Sequence, residues 1–204
     1  GILVNITAGP DLSLGEFEPA LAAFQESLSL SGELSRRSPD NQDWLFALGN
    51  AWFWEHEYPG TTPEDKTFTV TSNMLSDEEV AEKVKSGIPT PRLLAGDTEI
   101  LVPVNKVVHM LVTSNDVIHN WTIQPFGSKI DAVPGRLTAT WFRPEYEGVF
   151  YGQCSELCGM NHAFMPIAVR VVKQETYDQW TAAMKAGDRK KAKEITDRVA
   201  LDHA

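Results

Sequence analysis

The chain has 204 residues, 42% of them apolar, and a formal net charge of -10, with a pI near 4.9. That length builds one solid core with something left over, and the acidity argues against nucleic acid while suiting a partner with a basic face. Two cysteines do not make a disulfide-dense scaffold, and no run of 18 or more apolar residues marks a membrane span.

Residues 1–42 differ in character from the rest of the chain. Phe17, Leu21, Phe24 and Leu28 recur at spacings of 4, 3 and 4, an amphipathic helical stripe. Ser13 and Glu16 have the form of a capping box ahead of it, and the polar run 31–41 reads as helix stop and linker. This segment is expected to be an extension packed on its own protein or docked on a partner. Residues 43–58 are strongly aromatic, with Trp44, Phe46, Trp52, Phe53, Trp54 and Tyr58, and Pro59-Gly60 then turns the chain.

From Lys66 onward β-branched residues and alternation dominate. Strands are expected over 67–72, 99–104, 107–113, 119–123, 136–142, 148–152 and 167–172. A short surface helix is expected over 76–86. Short strands parted by Pro, Gly and Asp at this rhythm predict a mainly β fold, an antiparallel Greek-key sandwich or barrel over 43–174. A C-terminal helical tail is expected over 175–204, with a first helix ending near Gly187. The run Arg189-Lys190-Lys191 with Lys193 reads as a solvated basic face.

Both cysteines stand among other metal-binding side chains. Cys154, Cys158, His162 and Met165 form Cys-x3-Cys-x3-His-x2-Met within twelve residues, and His119 offers a second imidazole upstream. Pro166 and the β run beginning at Ile167 place Met165 at the foot of a strand. The stretch 154–165 is therefore a loop joining two strands at one end of the scaffold, where a rigid framework fixes ligand geometry. Soft sulfur with imidazole selects copper over magnesium or calcium. A closed zinc site of Cys154, Cys158, His162 and His119 is the competing reading; Met165 favours copper, because thioether is a poor zinc ligand. A Cys154–Cys158 disulfide would close a very short loop, stabilise little and leave His162 and Met165 unexplained. Two inward-facing thiolates can bridge a pair of metals, whereas one cannot.

Several runs carry a family resemblance: 116–121 (Asp-Val-Ile-His-Asn-Trp), 129–137, 151–159 (Tyr-Gly-Gln-Cys-Ser-Glu-Leu-Cys-Gly) and 161–167, with the aromatic stretch 51–58 upstream. They resemble the binuclear copper (CuA) domain of cytochrome c oxidase subunit II, and the likeness covers roughly 44–180. The resemblance implies a cupredoxin-like domain in which Cys154 and Cys158 bridge two coppers. His119 and His162 would each cap one copper, with Met165 and the Glu156 carbonyl as axial ligands. The Glu156 side chain would reach a magnesium or manganese ion at the interface with catalytic subunit I. Trp52 would be the point of electron entry from cytochrome c. Glu55, Glu57, Glu64, Asp65, Asp116 and Asp131 are the carboxylates suited to a lysine-rich cytochrome c, and His56, His109 and His203 are expected to be ordinary surface or strand residues.

The resemblance implies an electron-transfer subunit that is an enzyme only within an oxidase. A structural zinc module and a copper delivery protein are the alternatives. Nitrous-oxide reductase carries a similar copper domain but needs a further large catalytic domain. The segment 1–42 stands where the family has two transmembrane helices. That departure suggests a separate membrane-anchoring half of the subunit and a complex in the mitochondrial inner membrane, on its intermembrane-space side. The bacterial periplasmic face is the alternative. Ala51 stands where the family commonly has Gln.

Overall fold

The computed structural model describes residues 43–50, 52–59 and 66–202. The stripe Phe17, Leu21, Phe24 and Leu28, the acids Glu64 and Asp65, and His203 lie outside the described residues. The chain runs β1 (Asp43–Asn50), β2 (Phe53–Tyr58), β3 (Phe68–Ser72), α1 (Asp77–Lys85), β4 (Ile100–Pro103), β5 (Val108–Ser114), β6 (His119–Ile123), β7 (Ser128–Ala132), β8 (Thr138–Phe142), β9 (Gly148–Cys154), β10 (Pro166–Val172), α2 (Gln174–Lys185) and α3 (Arg189–Asp202).

Two five-stranded sheets face each other, one ordered β3-β2-β1-β5-β8 and the other β4-β10-β9-β6-β7. The expected sandwich is formed, but two of its pairings, β1 with β5 and β4 with β10, run parallel. The apolar runs Ile-Leu-Val-Pro of β4 and Pro-Ile-Ala-Val-Arg-Val-Val of β10 are buried at every position. Between the sheets Trp54, Trp121, Phe142, Met110, Ile123 and Ile167 are fully buried. Trp121 stacks on Phe142, and Phe142 in turn on Phe126.

Three strands fall where no strand is expected. β1 and β2 form a hairpin whose partners Asn50 and Phe53 close a two-residue turn, and β7 is a short edge strand reading Ser-Lys-Ile-Asp-Ala. α1 is the surface helix expected: Ser76 and Glu79 make a reciprocal capping box and none of its residues is buried. The C-terminal helices are not a detached tail. Trp180 of α2 packs edge-on against Tyr58 and Phe68, at 5.2 and 5.4 Å between ring centroids, and Ala192, Ile195 and Val199 of α3 join the same core. Gly187 takes φ 77 in the turn between them, the left-handed conformation that suits glycine at a helix end. Among the described residues no helix is long and apolar enough to cross a membrane.

Candidate metal centre

The end of the sandwich at which β1, β5 and β9 finish and β2, β6 and β10 start carries the candidate centre. His119 opens β6, Cys154 closes β9, and the two strands are paired so that Trp121 lies opposite Cys154. Gly152 makes that pairing close: a Cβ there would lie 2.0 Å from the Thr122 carbonyl oxygen. The chain then loops from Cys154 through Cys158 and a short 3-10 turn, His162–Phe164, to Met165 and β10. The Ser155 N–H donates to the Asn120 carbonyl at 3.1 Å and ties the start of this loop to β6.

Five side chains converge there. The Cys154 and Cys158 sulfurs are 3.8 Å apart and both cysteines are free. His119 Nδ1 lies 3.9 Å from Cys154 Sγ, and His162 Nδ1 lies 3.5 Å from Cys158 Sγ. Met165 Sδ is 3.7 Å from Cys158 Sγ, and the Cys154 thiol donates to the Glu156 carbonyl at 3.3 Å. His119, Cys154 and Cys158 lie close enough to hold one metal ion in common. Cys154, Cys158, His119 and Met165 are buried, whereas the Glu156 side chain is exposed. A buried cluster of thiols, imidazoles and thioether, with no hard oxygen except a carbonyl, fits a soft metal.

Asp116 plays a part that spacing did not suggest. Its Oδ1 accepts the Nε2–H of His119 at 2.9 Å, which leaves Nδ1 turned to the sulfurs. A carboxylate behind a ligating imidazole fixes its tautomer and ring orientation. Burial pulls the His119 imidazole down, yet the hydrogen bonds with Asp116 and Cys154 outweigh it and bring the pKa up to about 9. Burial likewise pushes the Cys154 thiol up, but hydrogen bonds from His119 and from backbone N–H groups hold it below the ordinary thiol value. Cys158 is driven the other way, by burial and by its proximity to Cys154.

The expected electron-entry and docking residues divide. Trp52 is half-buried rather than exposed, and its Nε1–H donates to the Cys158 carbonyl at 3.3 Å. Trp54, not singled out by the sequence, lies edge-on to His119 with ring centroids 6.0 Å apart. Asp131 is exposed on β7 and accepts the Asn120 amide at 2.6 Å. Glu55 is half-buried and lies 3.5 Å from the Thr71 hydroxyl. Glu57 is only 3% exposed, although it stands on the face of β2 opposite Trp54, His56 and Tyr58; a carboxylate so covered has little open face to offer a partner. His56 is a strand residue, as expected, but fully buried, and it accepts the Trp121 Nε1–H at 3.2 Å. The ligand loops also expose Leu157 (80%), Met160 (86%), Phe164, Val117 and Ile118.

The sequence model of "Cytochrome C oxidase subunit II, periplasmic domain" matches residues 44–172. A cytochrome c oxidase subunit 2 from Cereibacter sphaeroides is 46% identical over 146 residues, 68% of this chain and 48% of that protein. The crystal structure of the periplasmic domain of subunit II of cytochrome oxidase from Bradyrhizobium japonicum superimposes with a TM-score of 0.61 at 44% identity, covering 71% of this chain and 94% of that one. A mixed disulfide intermediate between a thioredoxin-like protein and subunit II of cytochrome c oxidase gives a TM-score of 0.58 at 43% identity, covering 74% and 95%. The chain spans about half the length of the curated relatives it matches. With two free thiols facing two imidazoles and a thioether, all within the span that the family model covers, this chain belongs to the cytochrome c oxidase subunit II family through its periplasmic domain.

Proposed function

We propose that this chain is the electron-entry module of a haem–copper oxidase. It takes single electrons from cytochrome c near Trp52 and passes them to haem in catalytic subunit I, and no oxygen chemistry occurs within it. The observation that carries the reading is the meeting of Cys154, Cys158, His119, His162 and Met165 through links of 3.5 to 3.9 Å. Cys154, Cys158, His119, His162, Met165 and the Glu156 carbonyl would together hold the copper pair. When bound, the copper pair supplies a one-electron couple whose charge is shared over two metals.

The chain's own residues give that couple its setting. Burial of Met165 and Trp54 keeps water away from the sulfurs, and Asp116 holds the His119 ring in register. The rim of Leu157, Met160 and Phe164 is suited to contact with the catalytic subunit, since exposed apolar patches mark interaction surfaces. The exposed Glu156 carboxylate in its midst is a hard oxygen ligand for magnesium or manganese, completed from the other chain. Asp131, Asp116 and Glu55 remain the carboxylates offered to cytochrome c. The module works on the periplasmic face of a membrane or its mitochondrial counterpart, the intermembrane space. Because the sulfurs are free and 3.8 Å apart, they must be kept reduced before metal enters. A thioredoxin-like reductant, as caught on the relative, is the matching partner.

Absorption and electron spin resonance of the copper-loaded protein test the reading. An unpaired electron shared equally by two coppers is expected. A silent spectrum with zinc on elemental analysis would overturn it, as would a single loosely held Cu(I). Trp52→Phe should slow electron uptake from reduced cytochrome c and leave that spectrum intact.

A further inference from the structure

Trp52 occupies a backbone position that its residue type does not favour. It closes the turn between β1 and β2 with φ 68, a left-handed conformation that crowds a residue with a Cβ. Two-residue hairpin turns demand such angles and are ordinarily filled by Asn or Gly. Backbone strain of this kind persists where the surroundings over-determine it. Two contacts do so here. The indole Nε1–H donates to the Cys158 carbonyl, and the ring lies over Gly159. A Cβ on Gly159 would be 3.1 Å from Trp52 Cζ2, 3.4 Å from Nε1 and 3.6 Å from Cε2. Gly159 itself stands at φ 119.

We infer that Gly159 is a positioning residue for electron entry, its bare Cα letting the Trp52 indole lie flush on the turn that carries Cys158. The inference rests on the proposed entry at Trp52 and adds to it the element that sets the distance. With the ring seated, one hydrogen bond and one carbonyl group separate the indole from a residue whose sulfur faces the metal site. A methyl group at Gly159 lifts the ring, lengthens that bond and weakens electronic coupling, while the ligand side chains keep their places. The alternative is that Gly159 serves only its own backbone angle, which would make any substitution costly whatever residue 52 is.

A double-mutant cycle separates the two. In the metal-free, ¹⁵N-labelled full chain, the indole N–H signal lost in Trp52→Phe identifies Trp52. Gly159→Ala should move that signal and speed its exchange with solvent. Gly159→Ala should also lower Tm more in the wild type than in the Trp52→Phe background, where the outer reach of the fused indole and its Nε1–H are gone. In the copper-loaded protein, Gly159→Ala should slow electron uptake from reduced cytochrome c at least tenfold with an unchanged copper spectrum, and add nothing to Trp52→Phe. Equal Tm losses in both backgrounds with the indole signal unmoved would overturn the inference, as would a normal uptake rate in Gly159→Ala. Normal uptake in Trp52→Phe would instead sink the entry site itself, a separate failure.

Discussion

Two histidines lie in the same interior, His119 at 0% and His56 at 1% exposure, and the fold drives them in opposite directions. Burial lowers both, because it penalises the charged ring. At His56 nothing opposes it, and the pKa falls to about 3. Its hydrogen-bond partner among the described residues is an N–H donor, Trp121, which requires a neutral acceptor nitrogen. At His119 the partners are a carboxylate and a thiol able to carry negative charge, and the pKa rises to about 9. The lesson is that depth alone assigns no role. The partner decides whether a buried imidazole is a poised ligand or a neutral bracket in the core.

The largest break comes from removing the anion at the first site. Cys154→Ser deletes one of two sulfurs and the hydrogen-bond partner of both His119 Nδ1 and the Glu156 carbonyl. The binuclear copper spectrum should vanish altogether, checked by electron spin resonance after copper loading. A retained two-copper signal would dissolve the distinction between the sites.

A second test reads the protons. Near neutral pH the metal-free site holds one displaceable proton on His119 Nδ1, the imidazole pKa being near 9, and one on Cys158, pushed upward, while Cys154 is shifted toward the thiolate. Metal ligands bind deprotonated, so loading should release close to two protons per site. Apparent affinity should then rise about a hundredfold per pH unit around neutrality. Calorimetry in buffers of different ionisation enthalpy counts those protons; release near zero would mean that the two sites do not differ as described.

Much of the centre was legible in the sequence because covalent spacing places it. Cys154, Cys158, His162 and Met165 fall within one short loop, so any rigid strand on either side brings them together. The β-branched runs of β5, β6 and β10 were legible for the same local reason. What spacing could not show depends on contacts between distant segments. The β1–β2 hairpin was hidden because Trp52 fills a turn position that Gly or Asn usually marks. β7 was hidden because Ser128, Lys129 and Asp131 are poor strand formers whose ladder comes from pairing with β6. Asp116 read as a docking acid because its bond to His119 needs the backbone turn from Ser114 to His119, and the burial of Glu57 is set by tertiary surroundings that its position in the chain does not show. The role of His56 lies 65 positions from its partner.

Asp116→Asn sharpens the comparison more gently than loss of a ligand. Asn keeps an acceptor oxygen for His119 Nε2–H but removes the charge. Altering the group that orients a ligating imidazole costs about 10–100-fold in metal affinity. Copper binding should weaken within that range, and the His119 pKa in the metal-free protein should fall from about 9, as read by imidazole chemical shifts against pH. An unmoved titration would assign the raised pKa to Cys154 alone.

The smallest effect belongs to the second histidine, and its sign comes from linkage. The folded pKa of about 3 lies below the unfolded value of 6.5, so between those pH values the unfolded chain binds more protons. Stability from a neutral His56 is therefore complete above pH 6.5 and is lost as pH falls toward 3, at about 1.4 kcal/mol per pH unit. Between pH 7 and pH 5 the loss is about 2 kcal/mol. His56→Gln does not titrate, and its side-chain oxygen can still accept the Trp121 N–H. It should cost about 1 kcal/mol at pH 7 through imperfect replacement of a buried hydrogen bond. Urea unfolding of both metal-free proteins at the two pH values cancels the shared contributions of His119 and the cysteines. The wild type's advantage over the variant should shrink by about 2 kcal/mol at pH 5, reversing their order, while copper-loaded His56→Gln keeps the wild-type spectrum. A gap independent of pH would show that the core admits a charged His56. Partner chemistry would then no longer explain why two equally buried imidazoles differ.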